Sequence, residues 1–183
     1  MRMASPGVLA ATAIAIMVAA PLPAAALELP QRKPGLWDLK VEAEGGAMPV
    51  TSVQQCVDAE SDAQLQAMGT AMTAQMCPGQ QMTRDGDTIT VTSACTIDGR
   101  EVRVNSIITG DFQSAYTMKV AFEGDGLQPG TPRNMTVTST WTGACKAGQK
   151  PGDVIMGSLI MNVREMRRMM EGAKDTLKGG AKK

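Results

Sequence analysis

Ile89-Thr90-Val91-Thr92-Ser93-Ala94-Cys95-Thr96-Ile97 is the stretch on which the fold is read. Ile89, Val91, Cys95 and Ile97 share one parity, and the threonines at 90, 92 and 96 share the other. A period of two is the mark of a strand with one packed and one wet face. The same period continues outward to residue 145. Val102, Val104 and Ile108 form the next set, Tyr116, Met118, Val120 and Phe122 another, and Met135, Val137, Trp141 and Cys145 the last. Asp85-Gly86, Asp98-Gly99 and Gly110-Asp111 stand between these runs, where hairpin turns belong. A longer turn-rich loop over residues 124–132 precedes the last strand.

Working toward the N-terminus, residues 36–43 read as a strand with Trp37, Leu39, Val41 and Ala43 on one face, and residues 50–56 as a shorter one. Ser61-Asp62-Ala63-Gln64 reads as a capping box that opens a helix, which Pro78-Gly79 closes. Beyond Lys150-Pro151-Gly152 a second helix is expected from Asp153, with an apolar stripe of Ile155, Leu159, Val163, Met166, Met170 and Ala173. The expected fold is α+β: an antiparallel, curved meander of about six strands with one inserted helix and a C-terminal helix.

Residues 1–26 read as an export signal. Arg2 is followed by an uncharged apolar run over residues 8–20, then by Pro21, Pro23 and a small-residue site at Ala24-Ala25-Ala26. That run falls short of the roughly 20 residues of a membrane span. The expected organisation is a signal peptide over 1–26, a disulfide-stabilised β-rich domain over 27–150, a helical extension over 151–178 and a disordered tail over 179–183. The whole chain carries 18 basic and 18 acidic side chains, a balance that points away from nucleic acid. The expected location is periplasmic or secreted.

Four cysteines, Cys56, Cys77, Cys95 and Cys145, read as two disulfides in such a compartment. Three connectivities are open. Strand parity, with Cys95 and Cys145 both on packed positions, favours Cys95–Cys145 and leaves Cys56–Cys77 to clamp the first helix.

The chain has no histidine, which removes the commonest general base and the commonest metal ligand. Asp58, Glu60 and Asp62 alternate like a calcium loop. Ala63 stands where such a loop needs glycine, however, and Gly69 where it needs glutamate, so their place is at a helix N-terminus. Methionine is in excess, at 15 residues, and Met68, Met72 and Met76 recur four apart. Core packing is the simpler reading of that face, and a Cu(I) site of thioethers the sharper one.

Arg32-Lys33-Pro34-Gly35-Leu36-Trp37-Asp38, Gln55-Cys56 before an acidic stretch, the strand ending in Cys95 and the closing Gly143-Ala144-Cys145 together resemble a secreted proteobacterial family, domain of unknown function 3617. The resemblance covers residues 27–145. It implies export and a small cysteine-bearing domain, and it implies no activity, cofactor or site residues. From the residues themselves, Pro34-Gly35 launches the first strand and Trp37 is a core anchor.

No catalytic centre and no cofactor are expected. The function expected is that of a non-catalytic binding or structural module of the cell envelope. Alternatives are a carrier of an apolar small molecule or lipid on the concave sheet face, in a pocket lined by Val91, Val104, Met118 and Val120, and Cu(I) binding through methionine. No integral membrane span is expected, and the C-terminal helix is the element that would touch the envelope.

Overall fold

Thr88–Ile97 forms one long strand, β4, with Ile89, Val91 and Cys95 buried along one side. In chain order the elements are β1 (Gly35–Ala43), β2 (Thr51–Val57), α1 (Ala59–Met76), β3 (Gln81–Asp85), β4, β5 (Arg100–Gly110), β6 (Ala115–Glu123), β7 (Asn134–Gly143), β8 (Asp153–Met156), β9 (Leu159–Asn162) and α2 (Val163–Gly180). The computed structural model describes residues 28–44, 49–97, 99–125, 127 and 130–180, with side chains up to residue 172. The segment read as a signal peptide lies outside the described residues.

All strand pairs are antiparallel, in the order β3-β4-β5-β6-β7-β1-β2-β8-β9. The class is α+β, as expected. The described strands number nine rather than about six, and the sheet is open, with β3 and β9 as its edges. β3 escapes a reading by periodicity because an edge strand needs no apolar face, and four of its five residues are exposed. β8 and β9 form a hairpin where a helix is expected from Asp153. Ile155, Leu159 and Val163 recur at helical spacing, but Gly157, at φ 60°, turns the chain between them. The helix starts only at Val163 and continues through Gly179 and Gly180, which were expected in a disordered tail. Because β8 pairs with β2, residues beyond 150 extend the same sheet.

The registers separate the two faces. Opposed residues share a face. Trp37 opposes Trp141, Leu39 opposes Ser139, Ser139 opposes Tyr116, Ile108 opposes Met118, and Cys95 opposes Val102. This is the apolar face. Ile89, Val91, Ile108 and Phe112 make its buried cluster, with Leu29, Met82, Tyr116 and Met118 packed against them. Trp37 is fully buried beside them, its ring centroid 5.8 Å from that of Tyr116. Burying such a side chain contributes about 2–3 kcal/mol.

The disulfides are Cys56–Cys145 and Cys77–Cys95, not the pairing that parity favoured. Cys95 does point to the apolar face. Cys145, however, lies past the end of β7, which stops at Gly143 with φ 127°, so strand parity says nothing about it. Cys56 opposes Leu36, on the other face from Trp37 and Cys95. The two bridges therefore sit on opposite sides of the sheet.

Helix α1 starts two residues after β2 ends and is bridged at Cys77 to β4. In the strand order β2 and β4 are five steps apart, about 24 Å at ordinary strand spacing. An 18-residue helix is about 27 Å long. The helix thus runs as a strap across the apolar face, and it approaches the sheet at its two ends, beside β2 and beside β4. Its cap is Asp58 rather than Ser61. Asp58 accepts the Ser61 N–H at 2.8 Å, and the Ser61 hydroxyl accepts the Asp58 N–H at 2.9 Å, closing the capping box one turn earlier than the sequence suggested.

Candidate functional site

The family signature around Trp37 becomes a structural clamp. Arg32, just ahead of β1, donates its backbone N–H to Asp62 Oδ2 at 2.9 Å and its Nε–H to Oδ1 at 2.7 Å. Its outer guanidinium nitrogen reaches Gln55 Oε1 at 2.7 Å, and the guanidinium carbon lies 5.7 Å from the Trp37 ring centroid. Asp62 also accepts from Gln66 Nε2 at 3.0 Å. Lys33 Nζ sits 3.7 Å above the Trp141 ring, and its carbonyl accepts the Trp37 indole N–H at 2.8 Å. Gly35, at φ 134°, is needed because a Cβ there would lie 2.3 Å from the Gly143 carbonyl oxygen. Both carboxylate oxygens of Asp62, and the backbone N–H, Nε and one outer nitrogen of Arg32, are engaged within the clamp, which suits a fold determinant.

The acidic run takes structural places too. Asp58 caps α1 and is paired with Arg164 of α2 at 2.7 Å, and Glu60 meets the same guanidinium at 3.1 Å. Burial works against the charge on Asp58, but the Ser61 amide and hydroxyl and the Arg164 guanidinium together outweigh it and hold its pKa below the ordinary value. Among the described residues, no three acidic or cysteine side chains are grouped so as to hold a metal ion.

Sequence reasoning missed the Arg32–Asp62 pair, because nothing local links residues 30 apart. The one usable signal was an aspartate inside the first helical turn with an arginine ahead of the first strand.

The two faces of the sheet offer different surfaces. A groove of about 670 Å³ lies at one end of β5, β6, β7 and β1, bordered mainly by polar-face residues, among them Glu42, Asn105, Lys119 and Thr136, and also by Val120 and Met135 of the apolar face. Glu44 accepts a hydrogen bond from Asn134 within it. Of the residues expected to line an apolar pocket, only Val120 borders this groove. Val91 is buried in the core with Met118 packed on it, and Val104 and Val120 are half-buried on the apolar face.

That apolar face is incompletely covered. Leu39, Val41, Val53, Val120 and Val137 are all half-buried there. Ser61 and Asp62 are buried and define the inward side of α1. At 100° per residue, Leu65, Met72 and Met76 fall on that same side. Yet Met72 is 62% exposed and Met76 55% exposed. The expectation that the methionine face is core is therefore wrong for these two, while Met68 is half-buried. Strap and sheet do not close on one another along the second half of α1.

A third surface lies after β7. Leu159 and Ile160 on β9 and Met169 and Met170 on α2 are each more than half exposed. Val163 is buried at the root of α2. No helix among the described residues is long and apolar enough to cross a membrane.

The family described as "Protein of unknown function (DUF3617)" matches residues 32–145, from the clamp arginine to the last cysteine. The chain belongs to this family. The match takes in both disulfides, α1 and strands β1 to β7, and it ends before β8, β9 and α2. No curated protein and no solved structure matches the chain.

Proposed function

We propose that this chain is a non-catalytic binding module of the cell envelope, periplasmic or secreted, and that it carries an apolar small molecule or acyl chain between α1 and the sheet. The supporting observation is the exposure of Met72 and Met76, which share the helical side of the buried Ser61 and Asp62, together with the half-buried Leu39, Val41, Val53, Val120 and Val137 on the apolar face of the sheet. Apolar surface left on both sides of a gap is the unfinished half of a contact, and an apolar ligand completes it. Methionine suits such a wall, since its unbranched thioether adapts to ligands of varied shape. The location is supported by two disulfides and by the apolar leader-like run at 8–20. The non-catalytic reading is supported by a chain without histidine whose carboxylates sit mainly at caps, turns and ion pairs.

Native mass spectrometry of the protein purified from the envelope is the direct test, with displacement of an apolar fluorescent dye by a long-chain fatty acid as its quantitative companion. A co-purifying apolar mass and saturable displacement are expected. Val137→Glu or Met72→Glu places an unpaired charge in the gap and weakens displacement by about tenfold or more. A protein that carries no mass, and a dye that binds without saturation, overturn the reading. A second contact with the envelope, through α2, belongs to the same proposal.

A further inference from the structure

We propose that β8, β9 and α2 form a docking element for an anionic lipid surface; this rests on the envelope reading above and names the partner of α2. The segment lies outside the residues matched by the family, so it adds something to the common domain. It joins the rest of the domain through the short β2–β8 pairing, the buried Val163 and the ion pairs of Arg164 with Asp58 and Glu60, so its position is fixed. Leu159, Ile160, Met169 and Met170 then present apolar side chains to solvent from two adjoining elements. At 100° per residue Val163, Met166, Met169 and Met170 share one arc of α2.

Charge selects the occupant. From residue 163 onward the chain carries Arg164, Arg167, Arg168, Lys174, Lys178, Lys182 and Lys183 against Glu165, Glu171 and Asp175, seven minus three, or +4. The whole chain has 18 of each sign, so residues 1–162 carry 11 basic and 15 acidic, or −4. A molecule polarised in this way turns its basic end toward an anionic surface. An apolar arc on a helix whose remaining surface is rich in basic side chains is the pattern of a helix that lies in the plane of a bilayer surface, with the cations drawn to anionic headgroups. A purely apolar partner or a second copy of this chain would not call for the charge.

The test is flotation of the full mature chain with vesicles containing about 30% phosphatidylglycerol in phosphatidylcholine, set against phosphatidylcholine alone. Binding to the anionic vesicles is expected, weakened several-fold as salt rises from about 0.05 to about 0.3 M. Met169→Glu with Met170→Glu should lower the partition about tenfold or more while leaving the unfolding temperature unchanged. Arg168→Glu should lower it for anionic vesicles only. Equal binding to both vesicle types, no binding to either, or a concentration-dependent dimer that the same variants abolish would each overturn the proposal. Dye displacement is read on the same variants: if it survives while flotation fails, α2 has been misassigned and the carrier reading stands.

Discussion

Asp62, in the first turn of α1, accepts both the backbone N–H and the Nε–H of Arg32, and both side chains are almost wholly buried. This pair ties the segment before β1 to the strap across the sheet. Removing one member of a buried ion pair strands the other, at a cost of about 3–5 kcal/mol. Asp62→Ala should therefore destabilise the domain by that amount in urea unfolding. The Arg32→Ala, Asp62→Ala double variant should cost clearly less than the sum of the single changes. Additive losses would mean that the two groups do not act as a pair.

The disulfides make separable contributions. In the chain-entropy picture the 18-residue separation of Cys77–Cys95 contributes about 3 kcal/mol, and the 89-residue separation of Cys56–Cys145 about 4.5. Replacing Cys77 and Cys95 by serine should loosen α1 selectively, seen as faster amide exchange in the helix with the strands still protected. Non-reducing peptide mapping should return these two linkages, and a Cys56–Cys77 peptide would contradict the structure.

Acid should weaken the fold through carboxylates held in their charged form. Asp58 is one; its folded pKa lies below the ordinary 3.8. Asp111 is another, held well below the usual range by the Ser114 amide and hydroxyl, and then by the Gln113 amide. A depressed folded pKa gives stability that is complete above the unfolded value and is lost as pH falls through the folded one. The unfolding temperature should therefore drop as pH falls below about 4. Asp58→Asn should lower it at neutral pH and flatten the acid slope, and an unchanged slope would remove Asp58 from the account.

Gly35→Ala should be among the most damaging small changes. Its φ of 134° disfavours any side chain, and the added carbon would meet the Gly143 carbonyl oxygen at 2.3 Å and Trp141 Nε1 at 2.5 Å. Strain and overpacking of this kind each cost about 1–3 kcal/mol. Gly79→Ala, also at positive φ but with open space around the site, should cost less. Equal losses in the two variants would leave strain alone as the cause.

The central strands were legible because burial on one face writes itself as alternation. Val91, Val104, Met118 and Val137 all fall on the face their parity predicted. Legibility ended where tertiary contacts replaced local pattern. Trp37 could be read as a core anchor, but its neighbours Arg32 and Asp62 could not be joined across 30 residues. Cys145 does not follow strand parity, because β7 ends at Gly143. Helical spacing predicts a packed Met72 and Met76, but it reports which side of α1 faces in and not whether anything meets it there, and both are exposed. That last failure falls on the surface proposed to bind ligand, where local rules and the native arrangement are expected to part.

The order of the cysteine pairs has a consequence for biogenesis. Cys77–Cys95 is nested inside Cys56–Cys145. A chain threaded N-terminus first into an oxidising compartment presents Cys56 and Cys77 together before Cys95 or Cys145 has emerged. An oxidase acting on thiols as they arrive would join these two first, which is the wrong bond. Reaching the native pairs then requires a thiolate to attack that early bridge and exchange it, a step of seconds to hours when left to itself. On the proposed envelope location, this protein should depend on disulfide isomerisation as well as oxidation, and its yield in an exporting host should fall when the isomerase alone is withdrawn.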